Sequence, residues 1–440
     1  MSIDNPFYHR GAIRRPEEFH GRQVEINQIL GLLRNGQSVS LIGPRRIGKS
    51  SLLLHLCRPA TRATFHLEPP QALFTLIDCQ ELGESPPEEV YELLLTTLLD
   101  AATAASLPIE TPPLTDTYRA LDRALYHLQQ ANRAAVFLLD EFELLAANRH
   151  LTPHFFARLR GLTTKYGLAY LTASQRPLFA ITADEQILSS PFFNIFVTLS
   201  LGLFSEDEAH SLLQRRLANT AVTFAAPLVD YLLSFVGRHP FFLHVAGYYA
   251  FQMIAQGNPL DSPAALSHLE QMIENESASH LSYLWQNLTA EERYCLAVAA
   301  GPVDTLRALE QQCLLRPADD GSYYTSLMLQ RFVRRQPVEG LLQAGPFVID
   351  QQRHQAQLNG QPLDLTHSQF DILARLLAQA GQVVHGDELE MAVWGDVLVD
   401  DPDRLKTLIK RLRRAVEPYS NWITSERGVG YALRPPATEG

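Results

Sequence analysis

Residues 43–50 read Gly-Pro-Arg-Arg-Ile-Gly-Lys-Ser, which fits the phosphate-binding pattern G-x-x-x-x-G-K-S. Glycines at the two fixed positions let the backbone curl with its N–H groups turned inward on a phosphate. Lys49 would reach the β- and γ-phosphates, and Ser50 would hold Mg²⁺. Gly43, Pro44, Arg45, Arg46, Ile47, Gly48, Lys49, Ser50 and Ser51 are therefore the candidate nucleotide-binding residues of this loop. A second stretch complements it. Ala135-Val136-Phe137-Leu138-Leu139 is fully apolar and ends in Asp140-Glu141, the Walker B pattern. Asp140 would bind Mg²⁺ through water, and Glu141 would polarise the water that attacks the γ-phosphate.

The elements that must position these groups can be read around them. The β-branched run Ser38–Ile42 leads into the loop, and a helix-like segment from Ser50 leads out. A lone glycine turn with a surface lysine would need neither. Further strands are expected at Ala72–Asp78, Ala169–Ala173 and Ile195–Leu201, with helices near 87–106, 118–132 and 152–166 between them. Strands alternating with helices imply an α/β fold, a parallel sheet covered on both faces, with the ligand at the carboxyl ends of the strands. Arg176, in Ser174-Gln175-Arg176-Pro177 just beyond one of these strands, is a candidate γ-phosphate sensor; a salt-bridged surface arginine is the alternative. Phe19, Gly21 and Arg22 precede an amphipathic helix and the first strand, where a segment can lie over the nucleotide base; a packing helix after a loop is the other reading. Ser205-Glu206-Asp207-Glu208 is a capping box opening a wholly helical stretch to about residue 280. Within it Gly237-x-x-Pro240 fixes a turn that either sets Pro240 against adenine or merely joins two helices.

The chain has 440 residues, enough for two to four domains, and a formal charge of −11. Such a balance excludes a globally basic nucleic-acid binder, so DNA affinity must come from a local cluster. Its four cysteines form no C-x-x-C pair, which points to reduced thiols, a cytoplasmic setting and no zinc site. No signal-peptide core and no apolar run long enough to span a bilayer is expected.

After a short connection from Glu339 to Pro346 the pattern changes. Short strands at Phe347–Asp350 and Gln355–Leu365, turned at Asn359-Gly360, precede a capping box at Thr366–Gln369 and a helix ending at Gly381. A second helix is expected at Gly386–Trp394 and a third at Asp403–Val416. In the third, Leu405, Leu408, Ile409 and Leu412 form one apolar stripe, and Arg404, Thr407, Lys410, Arg411 and Arg414 lie off it. Six basic residues and no acid occur from Arg404 to Arg414, which suits a major groove, where arginine can bond guanine bidentately. A hairpin with Arg427 at its glycine tip follows, and this arginine could enter the minor groove or touch phosphate.

Two resemblances emerge from these motifs. Phe19-x-Gly21-Arg22, Gly-Pro-Arg-Arg-x-Gly-Lys-Ser, Asp140-Glu141, Ser174-x-Arg176-Pro177 and Gly237-x-x-Pro240, in this order, resemble the STAND and archaeal-type ATPases of the AAA-related (ASCE) P-loop proteins, over about residues 5–335. The resemblance implies a nucleotide-gated switch: a core at 1–203, a helical lid at 204–280 and a small winged helix at 281–338 with Asp319-Asp320 in its wing. It also implies that Phe19, Gly21 and Arg22 border the base, that Arg176 reads the γ-phosphate, and that Pro240 reports lid closure. Residues 345–436 resemble the α+β winged helix of OmpR/PhoB-type response regulators, through Leu365-Thr366-x-x-Gln369-Phe370, Val393-Trp394-Gly395, Ile409–Arg413 and Arg427–Tyr431. By that likeness Arg411 reads bases, Lys410 and Arg414 touch phosphate, and Arg427 is the wing contact; Asp403 departs from the family's usual basic or polar residue there.

Together these imply a slow, regulatory ATPase using ATP/ADP and Mg²⁺, whose nucleotide state sets binding to double-stranded DNA, as in a transcription regulator. A DNA-remodelling ATPase of the transposition-helper, replication-initiator or antiviral kind is the alternative. No membrane partner is expected. Self-association on ATP binding, the need for an arginine finger in trans and the upstream signal or partner protein stay open.

Overall fold

The computed structural model describes residues 5–7, 10–107, 109, 116–178, 191–318, 321–359, 361–395 and 403–434. The chain divides into two units, Met1–Tyr283 with Leu306–Leu329, and Leu284–Thr305 with Gln330–Gly440. Among the described residues, no helix is long and apolar enough to cross a membrane.

The first unit is built on a five-stranded parallel sheet. Its strands are β1 (Ser38–Ile42), β2 (Ala72–Asp78), β3 (Ala134–Asp140), β4 (Leu168–Ser174) and β5 (Phe196–Ser200), in the order β2-β3-β4-β1-β5. The central strand β4 and its neighbour β1 are buried along their whole length. The period of two sorts β3 between two cores. Phe137 and Leu139 face helices α3 (Pro87–Ala104), α4 (Thr117–Gln130) and α5 (Pro153–Lys165), while Val136 and Leu138 face α1 (Gln23–Arg34) and α2 (Lys49–Leu56). Apolar runs rather than alternation are what a sheet clad on both faces requires. The loop after β1 thus opens at the carboxyl edge, beside the ends of β3 and β4.

Helices α6 (Glu206–Arg215), α7 (Ala226–Val236), α8 (Pro240–Ala255) and α9 (Pro263–Gln286) follow. Ser205 and Glu208 close the expected capping box on α6. Gly237, at φ +70°, ends α7, and Pro240 supplies the first residue of α8. The N-terminal segment docks on these helices. Phe7 is buried and lies against Gly247, where a Cβ would sit 2.4 Å from its ring, and stacks on Phe224 at 5.9 Å. Helix α9 runs unbroken through residue 280, the expected end of the lid, because its residues continue in helical pattern to Gln286.

Residues 281–338, expected to form a small winged helix, hold α10 (Ala290–Val298), α11 (Val303–Gln311), the hairpin β6 (Leu315–Ala318) and β7 (Gly321–Tyr324), and α12 (Leu327–Arg334). The first unit takes in the hairpin and the second takes in α10. Asp319 and Asp320, expected in the wing, lie outside the described residues, as does Gly360 of the expected turn at Asn359-Gly360.

In the second unit, residues read as a connection form a strand. β8 (Leu341–Ala344) pairs antiparallel with β9 (Phe347–Asp350) through a turn at Gly345, which holds φ +57°. With β10 (Gln355–Leu358) and β11 (Gln361–Leu363) it makes a four-stranded sheet. Tyr294 of α10 donates its hydroxyl to Asp350 at 2.5 Å. Helices α13 (His367–Ala378), α14 (Gly386–Trp394) and α15 (Arg404–Ala415) pack with a sheet ordered β12 (Val383–His385), β14 (Gly430–Leu433), β13 (Ile423–Glu426). Its core holds Phe370, Leu373, Leu405, Leu408, Ile409 and Leu412, so the stripe expected on α15 is its buried face.

Candidate functional site

The loop 43–50 is shaped by its neighbours. Gly43 N donates to Ser174 O at 3.2 Å, pinning the loop to β4, and a Cβ on Gly43 would sit 2.6 Å from Leu201 O. Gly48 holds φ +105°, which only glycine adopts at no cost, and from it α2 begins. Lys49 is buried, and its Nζ donates to Gly43 O at 2.7 Å and Pro44 O at 3.1 Å. Burial pushes its ammonium pKa down, and Glu143, Glu141 and Asp140 oppose that shift.

The end of β3 supplies the carboxylates. Asp140 shares a hydrogen bond with the Ser50 hydroxyl, which draws its pKa down, but burial raises it more. Glu141 turns out of the strand at φ +49°, its N–H donating to Asp140 Oδ1 at 3.1 Å. Burial first, then the neighbouring Glu143 carboxylate, push the Glu141 carboxyl up to about 7. Glu143 Oε1 accepts from Gln175 N at 3.3 Å and so joins β4 to this group. No motif in the sequence marks Glu143; its approach to Glu141 is a product of the fold.

A cavity of about 280 Å³ opens over the loop. Its wall includes Arg45, Arg46, Ile47, Gly48, Lys49, Ser50 and Ser51, with Glu141 at the same end. Phe19, Arg22 and Pro240, named from sequence, also line it, together with Phe204, Leu212 and Phe241. Phe19 is stacked on His55 of α2, centroids 3.9 Å apart and planes within 7°. Ile13 N donates to Ser51 Oγ at 2.9 Å, which brings the N-terminal segment to the cavity edge.

Arg22 is buried and turned to the protein. Its guanidinium donates to Gly202 O at 2.7 Å, Ile47 O at 3.3 Å and Glu25 Oε1 at 3.0 Å, and lies 4.5 Å over the Phe204 ring. Glu208 accepts from Arg22 N at 2.5 Å, in the space a side chain on Gly21 would fill. Gly21 thus makes room for the first lid helix. Arg176 is exposed and is not among the residues that line the cavity; Ser174 Oγ donates to its carbonyl at 2.7 Å.

On the C-terminal module, Thr407, Lys410, Arg411 and Arg414 are exposed on the face of α15 opposite its core, and Arg427 is exposed at the β13–β14 turn. Lys406 is also exposed, bonded to Asp403 at 2.9 Å. Arg404 differs: it bonds Glu390 at 2.9 Å and stacks on Trp394 at 4.3 Å, with its side chain 13% exposed. The structure therefore takes Arg404 off the exposed basic set, because α14 presents a nearly buried carboxylate to it. Arg413 donates to Ile423 O at 2.9 Å and Ser425 Oγ at 2.8 Å, joining α15 to the wing strand.

The parallel sheet, the loop and the carboxylates at its edge define a P-loop NTPase core. The chain belongs to the STAND NTPases: the model of the family described as Novel STAND NTPase 2 matches residues 28–303. Residues 360–433 match the family described as Transcriptional regulatory protein, C terminal. Among solved structures, the chain is similar in fold to a Walker-type ATPase of Pyrococcus abyssi, at 19% identity and TM-score 0.54, over 75% of this chain and 99% of that one. It is also similar in fold to the ORC2 protein of Aeropyrum pernix in ADPNP–ADP complexes, at 14% identity and TM-score 0.50, over 76% and 97%. A curated relative, the sensory transduction protein RegX3 of Mycolicibacterium smegmatis, is 37% identical over 98 residues, 22% of this chain; the chain spans 43% of that protein's length.

Proposed function

We propose that this STAND NTPase binds and slowly hydrolyses ATP, and that its nucleotide state controls binding of the C-terminal winged helix to double-stranded DNA, as a cytoplasmic transcription regulator. The observation that carries the reading is the joining, in one chain, of a cavity lined by Lys49, Ser50 and Glu141 to a helix whose exposed face holds Lys410, Arg411 and Arg414.

For adenine, the support is the wall of Phe19, Phe204, Leu212 and Pro240; among the described residues lining the cavity, Glu141 at the phosphate end is the only carboxylate. The Ser50 hydroxyl and Asp140 carboxylate, already hydrogen-bonded, fit a hard divalent cation such as Mg²⁺. Such an ion would neutralise charge on the phosphates. Lys49 would exchange its bonds to loop carbonyls for phosphate oxygens. Glu141, ionised, would accept the proton of an attacking water, and Glu143 would tune it.

On the module, Arg411 would read a base edge, Lys410 and Arg414 would hold phosphates, and Arg427 would contact DNA from the wing. Selection of bound fragments from a genomic pool, in parallel with ATP, ADP and no nucleotide, tests the whole reading. One enriched sequence class whose yield depends on nucleotide is expected. Equal, sequence-independent recovery in all three arms, with turnover stimulated by any DNA, would favour a DNA-remodelling ATPase instead.

A further inference from the structure

The two arginines inside the phosphate-binding loop each lie against an aromatic ring from the helices that follow the sheet. The Arg46 guanidinium lies 4.3 Å over Phe241, on the first turn of α8, and the Arg45 guanidinium lies 4.7 Å over Tyr283, near the end of α9. Tyr283 is itself fixed, donating its hydroxyl to Gln175 Oε1 at 3.2 Å, just past β4. Both arginines line the cavity that Lys49 and Ser50 line. Arg46 also holds φ +64°, which a non-glycine residue keeps only when its surroundings fix it.

We infer that Phe241 and Tyr283 are positioning residues of the nucleotide site, holding the guanidiniums of Arg46 and Arg45 so that their N–H edges are presented to the phosphates of a bound nucleotide. This rests on the nucleotide reading above. A guanidinium stacks through its face and donates through its edge, so one arginine can engage ring and phosphate oxygen together. Two adjacent cations repel one another, and without the rings they would swing apart into solvent. The rings keep them where a polyanion needs them, which reduces the side-chain ordering that binding would otherwise cost. An ammonium lacks the flat face, so lysine at these positions would lose the arrangement while keeping the charge.

The test is titration of the full-length protein with ATP, inorganic tripolyphosphate and adenosine. Tyr283→Leu and Phe241→Leu should each weaken ATP and tripolyphosphate about tenfold, equivalent to about 1.4 kcal/mol. Tyr283→Leu, which alters no cavity-lining residue, should leave adenosine affinity unchanged. Tyr283→Phe keeps the ring and loses only the bond to Gln175, and should bind ATP within about twofold of wild type. The inference is overturned if the leucine variants bind ATP as wild type does, or if Tyr283→Leu loses ATP and adenosine alike, which would mean the ring only packs the lid. The underlying reading fails separately: ATP affinity untouched by Lys49→Ala would remove the nucleotide site itself.

Discussion

The Lys49 ammonium donates to the carbonyl of Gly43 at 2.7 Å, so the cation of the phosphate-binding loop is held by the loop's own backbone. Burial disfavours this charge, and the carboxylates at the end of β3 oppose that effect. The loop therefore stores a desolvated cation that a phosphate can take over. Replacing Lys49 by Ala should lower ATP affinity by at least about a hundredfold, on the order of 2.7 kcal/mol. Titration calorimetry checks this, with circular dichroism reporting that the fold is kept.

Hydrolysis should depend on pH through Glu141. Its carboxyl is raised to about 7 by burial and by Glu143, and a general base works only when ionised. The rate at low ATP should climb as pH rises through about 7. The stability term has the opposite sense. A carboxyl whose folded pKa is raised adds stability that is full below its ordinary value of 4.5 and is lost as pH passes about 7. Glu143→Gln removes the neighbouring charge and should move the rising limb to lower pH. An unmoved limb would separate Glu143 from the titration.

Arg411→Ala should weaken binding to the selected DNA about tenfold to a hundredfold, on the order of 1–3 kcal/mol, and relax preference at one base position. ATP affinity and thermal midpoint should hold, since Arg411 is exposed. Lys410→Ala should instead weaken all sequences alike and lower the salt dependence by about one ion. Footprinting and salt titrations distinguish the two.

Arg404→Ala should act through the fold. Its guanidinium satisfies Glu390, a carboxylate 10% exposed, and covers Trp394. Loss of one charge-assisted bond of this kind costs about 2 kcal/mol. Calorimetric unfolding should show a lowered midpoint, while DNA affinity well below that midpoint stays within about threefold. A large loss of DNA binding with an unchanged midpoint would return Arg404 to the contact set.

Much of the architecture was legible in local pattern. The fully apolar run before Asp140, the strand and helix flanking the loop, and the capping residues Ser205 and Thr366 each carry their structural consequence within a few neighbours. The stripe at Leu405, Leu408, Ile409 and Leu412 likewise named its own buried face. One strand lacks such a signal. Leu341–Ala344 is too short and too mixed to announce a strand until Phe347–Asp350 lies beside it.

By itself, then, the sequence determined which groups could bind phosphate and which helix could face DNA, because those depend on residue type and on spacing along one element. Only the tertiary structure decided how side chains from distant elements share their partners. Arg404 looks from sequence like one more DNA-facing arginine, yet it bonds Glu390 of the preceding helix, while Arg22 lines the cavity with its guanidinium bonded to Gly202, Ile47 and Glu25. Phe241 and Tyr283 carry no motif in the sequence, yet their rings lie against the guanidiniums of Arg46 and Arg45 in the phosphate loop. A hydrogen bond or a ring contact acts over a few ångströms, and residues about 200 positions apart come within that range only when the chain is folded.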